Sequence, residues 1–453
     1  MSADLPVMKP VARVLDLVDP SSQELYGASL DDAREILRRG DLAALRALGG
    51  SFALVAREGE KVLLARSLER PLRYFLAKEK DGPMLIVAER IDQIRDQLAE
   101  LGYLSQFHPS YTRMVPAHHL TELRLIGCPD PNPQQRRFFA PPRATAKADL
   151  DAIGEAYVAA LLEEAGRWLD NQDALNNQGE EEPIGVLFSG GIDSGAVFLA
   201  IYHQLLAKGQ SPARLKAFTL AAEGGGGDPE QAEEFLRRLD LGLFLEKIEV
   251  PAAAIDTAEA VAVIEDYKPL DVECAAAQIA LLRALRERYP EWRLLADGDG
   301  GDENLKDYPI EENPELTIRS VVNNSMLYQE GWGVEAVKHS QTYSGGLSRG
   351  AVRGWAPSRR FGFRSFSPFM RPALIEVAES IPFAELTGGS HEALYALKGE
   401  VIARGFRRLL GFEFPVFPKR RFQHGALAEG LRTARFAATG QTYRRQFLEL
   451  FAV

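Results

Sequence analysis

One ten-residue stretch, Gly185-Val186-Leu187-Phe188-Ser189-Gly190-Gly191-Ile192-Asp193-Ser194, restricts what this chain can be more than any other. The apolar run from Ile184 to Phe188 reads as a short buried strand, and the run from Gly195 to Leu206 reads as a helix. Ser-Gly-Gly stands between them. A strand, a tight glycine turn and a helix start make an anion site, because free backbone N–H groups and the helix dipole converge there. Gly190 and Gly191 let the backbone approach phosphate oxygens, while Ser189 and Ser194 add hydroxyl donors. Asp193 is out of place beside phosphate unless a cation bridges the two, which implies Mg2+. The stretch therefore predicts an ATP site that grips the pyrophosphate part of the nucleotide. It lacks the Gly-Lys-Ser/Thr ending of the Walker loop.

A second segment, Leu294-Leu295-Ala296-Asp297-Gly298-Asp299-Gly300-Gly301-Asp302-Glu303, repeats the pattern with a different charge. An apolar strand, Trp292 to Ala296, runs into a glycine-rich turn carrying four carboxylates. Strands of an open parallel sheet end at one edge, where ligands collect. The two turns are expected to face one crevice, with Gly298 and Gly300 beside the nucleotide and Asp193 and Asp302 sharing Mg2+. The spacing lacks the twelfth-position Glu of a calcium-binding EF-hand loop.

The rest of the chain supplies the setting. Residues 1 to about 110 alternate short apolar strands, clearest at Val62 to Ala65 and Met84 to Ala88, with helical patterns at Leu30 to Arg39 and Ile91 to Leu101. The Pro-rich stretch Pro129 to Pro142 reads as a connector, giving domains over 1–142 and 143–453. An amphipathic helix is expected over about 147 to 170. Beyond the first motif, strands at Leu215 to Leu220 and Phe244 to Val250 alternate with helices at Asp228 to Asp240, 255 to 265 and 272 to 288. This alternation indicates a parallel α/β sheet. Gly224 to Gly227 reads as an insertion or a lid, and from 310 onward the pattern is mainly helical.

A net charge of −11 disfavours nucleic acid as the main partner, although short basic runs stand at Arg359 to Arg364 and Lys419 to Arg421. No apolar run is long enough to span a membrane and no leader pattern opens the chain, so a cytoplasmic location is expected. Two cysteines, Cys128 and Cys274, make neither a disulfide framework nor a zinc site.

With these motifs in view, the chain resembles the asparagine synthetase family. Ser189 to Ser194 match that family's Ser-Gly-Gly-x-Asp-Ser loop, and Gly298 to Glu303 match its Gly-acid-Gly-x-Asp-Glu turn. Lys419-Arg420-Arg421-Phe422-Gln423-His424-Gly425 resembles its Lys-x-x-Phe-x-x-Gly segment. Ser367-Pro368-Phe369 followed by Lys398 resembles its Pro-Phe block and downstream lysine. The resemblance implies a degenerate Ntn-hydrolase-like α+β domain at the N-terminus. A pyrophosphate-loop parallel-sheet synthetase domain of the adenine nucleotide α-hydrolase type would follow, with a helical C-terminal part.

It also implies a reaction. A carboxylate attacks the α-phosphorus of ATP, pyrophosphate leaves, and an amine takes the acyl group from AMP. Lys419 would stabilise charge on the α-phosphate and the tetrahedral centre, and Lys398 would assist on pyrophosphate. The faint N-terminal match, Gly50-Ser51-Phe52-Ala53 through Arg70-Pro71-Leu72-Arg73-Tyr74, lacks the glutaminase nucleophile: positions 2 and 3 are Ser2 and Ala3. Glutamine-derived ammonia is therefore not expected. The chain looks like relatives such as β-lactam synthetases and lasso-peptide cyclases, which use an amine of the substrate.

Asp299 stands where the asparagine synthetases have Glu and is expected to bind or deprotonate the attacking ammonium. Arg364 replaces a family acid in the Pro-Phe block and is expected to read an anionic substrate group. Tyr328, Glu330, Trp332 and Glu335 are candidates for an altered acceptor pocket. The expected partner is a small-molecule or peptide substrate, with no nucleic acid and no membrane. The sequence is compatible with a homodimer. The rival readings are a catalytically silent nucleotide-binding scaffold, ammonia-dependent amidation, and a loop enzyme that thiolates RNA.

Overall fold

The computed structural model describes residues 13–80, 82–124, 133–176, 181–223, 227–307, 310, 317–323, 351–417, 430, 435–436 and 440–452. The chain divides into two compact units, with a break between Ala140 and Pro141. The first also takes in the chain from Phe447 onward, and the second comprises Pro141–Lys338 and Ser348–Gln446.

Among the described residues up to Ala140 the first unit has ten strands and three α-helices. The strands are β1 (Arg13–Asp16), β2 (Glu24–Tyr26), β3 (Gly49–Ser51), β4 (Ala53–Glu58), β5 (Lys61–Arg66), β6 (Arg73–Glu79), β7 (Gly82–Ala88), β8 (Arg113–Met114), β9 (His119–Arg124) and β10 (Gln134–Arg137). The helices are α1 (Leu30–Arg39), α2 (Leu42–Ala47) and α3 (Ile91–Glu100). One sheet has the order β1-β7-β6-β8, another has β10-β9-β5-β4, and β2 pairs with β3. Alternation along β5 sends Val62 and Leu64 to a core shared with Tyr74 of β6 and with Leu85 and Val87 of β7. Residues of both four-stranded sheets thus meet in one apolar layer. Ser29 and Asp32 form a capping box that fixes the start of α1, and Gly40 ends it in the left-handed conformation.

The second unit begins with α4 (Leu150–Leu175), three residues later and five longer at its end than the pattern indicated; Asp149 caps its start through the Asp151 and Ala152 amides. The chain then alternates β11 (Ile184–Leu187), α5 (Ile192–Ala207), β12 (Leu215–Ala222), α6 (Asp228–Arg237) and β13 (Leu245–Val250). Next come α7 (Thr257–Ile264), α8 (Pro269–Arg288), β14 (Leu294–Ala296) and α9 (Gly301–Leu305). Helix α6 stops before the expected Asp240, which adopts a left-handed φ of 56°. The sheet is parallel throughout, in the order β13-β12-β11-β14-β15.

Its outer strand β15 (Arg364–Phe366) falls within the region read as helical. Three residues are too few to show a period of two, so pairing with β14 rather than local pattern makes this strand. The helix His391–Leu410 crosses α4 where Gly154 meets Gly405; a Cβ on Gly154 would lie 2.6 Å from the Val401 carbonyl. Among the described residues no helix is long and apolar enough to cross a membrane. Gly224 to Gly226, Tyr328, Glu330, Trp332, Glu335, Cys128 and Lys419 lie outside the described residues.

Candidate active site

Both glycine-rich turns leave the same edge of the sheet from adjacent strands. β11 pairs in parallel with β14, so Ser189 to Gly191 and Asp297 to Gly300 emerge side by side. This edge is also where the strand order reverses direction from β11, the position at which open α/β sheets bind ligands.

In the first turn Gly190 takes φ +73°, and a Cβ would lie 2.6 Å from the Ala232 amide of α6. Only glycine meets both demands. Gly191 is the N-cap of the 16-residue α5, and no side chain caps it. Ser194 Oγ lies 3.3 Å from Ser189 Oγ and accepts from the Ser189 amide at 3.2 Å. Ser189 Oγ in turn accepts from the Gly191 amide at 3.3 Å. The turn thus gathers two hydroxyls at a helix start whose amides and dipole favour an anion.

The acidic turn packs against the first through Gly298, where a Cβ would lie 2.8 Å from the Ser194 amide. Asp297 is buried. It accepts from Ser367 Oγ at 2.7 Å and from the Asp299 amide at 3.0 Å. Asn304 of α9 donates to the Phe369 carbonyl at 2.9 Å and to Tyr157 Oη of α4 at 3.2 Å. These bonds fasten the turn to α4 and to the segment after β15.

Lys398, on the helix His391–Leu410, is buried and joins the two turns. Its Nζ donates to Asp193 and, at 2.6 Å, to Asp302, with Asp307 at 3.4 Å. Burial alone would depress the ammonium, but Asp193, Asp302 and Asp307 outweigh it and hold the pKa well above the usual lysine value. Asp299 behaves in the opposite way. Burial, then Asp297, Glu303 and Asp193, push its carboxyl well above the carboxylate range, against the opposing charge of Arg353.

Two carboxylates that meet one ammonium also reach one cation, so Asp193 and Asp302 suit a hard cation completed by phosphate oxygens and water. Among the described residues no group of three or more His, Cys, Asp or Glu is placed to hold a metal by itself.

Of the residues expected from sequence, Ser189, Gly190, Gly191, Asp193, Ser194, Gly298, Asp299, Gly300, Asp302 and Lys398 belong to this edge of the sheet or to the helix that reaches it. Arg364 does not. It opens β15 beside Leu294, at the entry end of the strands, and its Nη2 pairs with Glu182 Oε2 at 3.0 Å. The Glu182 carboxylate, which also meets Arg293, takes the charge that was expected to read a substrate anion. The structure therefore places Arg364 in an ion pair with Glu182 at the entry end of the strands.

Sequence reading missed the bond of Ser367 to Asp297 and the pair that Arg353 Nε makes with Asp271 Oδ1 of α8 at 3.4 Å. The Ser-Pro-Phe string marked the place of Ser367, whereas no local pattern marks Arg353.

Residues 172–353 match the family model of asparagine synthase. No curated protein matches the chain. The matched stretch spans β11 to β14, both glycine-rich turns and Asp302, and chemistry of that domain type is ATP-dependent carbon–nitrogen ligation. The chain thus carries an asparagine synthase domain over residues 172–353.

Proposed function

We propose that this protein is an ATP-dependent amide-forming ligase that activates a substrate carboxylate as an acyl-adenylate and joins it to an amine of a substrate. The observation that carries this reading is the convergence of Asp193, in the first turn of the uncapped α5, and Asp302 on the Lys398 ammonium. A site of that kind suits pyrophosphate as a leaving unit.

The carboxylate oxygen attacks the α-phosphorus, the bond to the bridging oxygen breaks, and pyrophosphate leaves with the electron pair. Ser189, Ser194 and the α5 amides bind that pyrophosphate, with Lys398 adding positive charge beside it. Asp193 and Asp302 would hold Mg2+, which neutralises charge on the departing group. The amine nitrogen then attacks the acyl carbon, and the carbon–oxygen bond to AMP breaks with its electron pair on the phosphate. One proton of the incoming ammonium goes to the Asp299 carboxylate, and a second goes to solvent as the adduct collapses. Lys419, by resemblance, stabilises the charge on the α-phosphate and the adduct.

The N-terminal unit is read as a degenerate glutaminase-like domain. Cys274 is buried on α8 and is no exposed thiol nucleophile, which favours a substrate amine over glutamine-derived ammonia. The test is release of pyrophosphate and AMP from Mg-ATP on addition of a small-molecule and peptide extract. Release that requires the extract and disappears in Asp193→Ala supports the ligase. Mg-ATP binding without release would favour a silent nucleotide-binding scaffold, and neither binding nor release would remove the nucleotide reading.

A further inference from the structure

Among the described residues three carboxylates meet the Lys398 ammonium, and they differ in how open they are. Asp193 and Asp302 both bond to Nζ, and their side chains are 23% and 35% exposed. Asp307 stands 3.4 Å from the same Nζ, with a side chain only 7% exposed. A left-handed residue puts it there. Lys306 ends α9 at a φ of 55°, and its amide and that of Asp307 both turn back to the Asp302 carbonyl, the second at 3.1 Å. A side chain disfavours this backbone form, which persists where the surroundings impose it. Here they do: the Lys306 ammonium is buried, 3.6 Å from Glu379 and over the Phe383 ring.

The openness of the three acids sets which of them can change partner. Asp193 and Asp302 are within reach of a cation arriving from solvent, whereas Asp307 lies behind them. A Mg2+ ion binds carboxylate oxygens at about 2.0–2.1 Å and takes the lone pairs that the ammonium uses. Lys398 then needs another counter-charge, because a buried ammonium without one is strongly disfavoured. Its flexible stem allows a small shift of Nζ. The helix that carries it is held: a Cβ on the next residue, Gly399, would lie 3.1 Å from Val416.

We propose that Asp307 is a positioning residue for Lys398: when Asp193 and Asp302 turn to Mg2+, Asp307 stays with the ammonium and keeps it at the pyrophosphate end of the site. This rests on the nucleotide part of the ligase reading above. Without nucleotide, Lys398 is matched by Asp193 and Asp302 at bonding distance, and Asp307 stands farther off. Loss of Asp307 therefore weighs little in that state. With Mg-ATP bound, Asp307 is the acid that remains to Lys398. The ammonium thus has a partner in both states, and the metal leaves no unmatched charge in the interior.

The experiment measures ATP binding by calorimetry, in Mg2+ and in EDTA, for the wild type, Asp307→Asn and Asp307→Glu. The ratio of the two dissociation constants reports how much the metal tightens binding. In Asp307→Asn that ratio falls at least fivefold, through weaker binding of Mg-ATP, while binding in EDTA stays near the wild-type value. Asp307→Glu keeps the charge but displaces it, and its ratio falls at least twofold. It decides alone if Asp307→Asn does not fold. A smaller fall, or equal weakening in Mg2+ and in EDTA, would mean that Asp307 serves the fold only; it overturns the assignment and leaves the ligase reading standing. A wild type that binds ATP equally well with and without Mg2+ overturns the assignment together with the metal role of Asp193 and Asp302. A wild type that binds ATP in neither condition overturns the nucleotide reading and this assignment with it.

Discussion

The Lys398 ammonium stands 2.6 Å from the Asp302 carboxylate and also meets that of Asp193, so one lysine ties the helix after the first glycine turn to the helix after the second. Each partner comes from a different element, and none is near another in sequence. The arrangement makes Lys398 a structural tie between the two turns.

Removing that tie leaves Asp193 and Asp302 facing each other with no ammonium between them. Lys398→Ala is expected to cost about 2 kcal/mol of stability, below the range for deleting one partner of a fully buried ion pair because Asp193 and Asp302 are partly exposed. Urea unfolding of the two proteins measures it; a difference below about 1 kcal/mol would mean that solvent reaches these carboxylates freely.

Gly190 has a demand of a different kind. Gly190→Ala combines a left-handed backbone with a methyl group against the Ala232 amide, which belongs to α6 and cannot swing away. The expected loss is about 3 kcal/mol, from backbone strain and overpacking together. The thermal shift produced by Mg-ATP should shrink as well, since the turn must move to admit the methyl group.

Acid acts on the first unit through His118. Burial, then Arg66, Arg137 and His119, push its pKa down to about 3, from an ordinary value near 6.5. The folded chain takes up this proton less readily than the unfolded one. The contribution to stability is therefore whole above pH 6.5 and is lost as the pH falls from 6.5 toward 3. The slope from this group approaches about 1.4 kcal/mol per pH unit. His118→Asn, suited to the φ of 57° at this position, should flatten the urea midpoint of this unit between pH 7 and 4.5.

Arg364 supplies a negative control. Its ion pair with Glu182 is partly exposed, so Arg364→Gln should cost under about 1 kcal/mol and leave Mg-ATP binding unchanged. A tenfold loss of pyrophosphate release in this variant would restore the substrate role that its position at the entry end of β15 argues against.

The two glycine turns were legible because their chemistry is local: a short apolar run, glycines that the backbone requires and acids that need a cation. The strands beside them were legible for the same reason, as were helices whose caps are written in adjacent residues, such as Ser29 and Asp32. The Arg364–Glu182 pair was not legible, because Glu182 is brought to Arg364 only by the pairing of β15 with β14, which no local pattern encodes. Arg353 was missed for a related reason. One arginine in a run with Gly350 and Gly354 looks like many surface arginines until α8 places Asp271 beside it. Lys398 was found by its distance from a family motif, yet its contact with both aspartates depends on the crossing of its helix with α4 at Gly154 and Gly405.

The order of strands in the five-stranded sheet has a consequence for a chain growing on the ribosome. β11 lies between β12 and β14, and β12 is made directly after it, whereas β14 follows only after α6, β13, α7 and α8. A nascent chain that has completed β12 therefore carries the serine–glycine turn beside an open strand edge, with neither Asp302 nor Lys398 yet synthesised. Such an edge invites pairing with another chain until Leu294–Ala296 emerges to cover it. Translation arrested between β13 and β14 would leave this protein in its most aggregation-prone form, and a nucleotide could not rescue it because half of the binding turn does not yet exist.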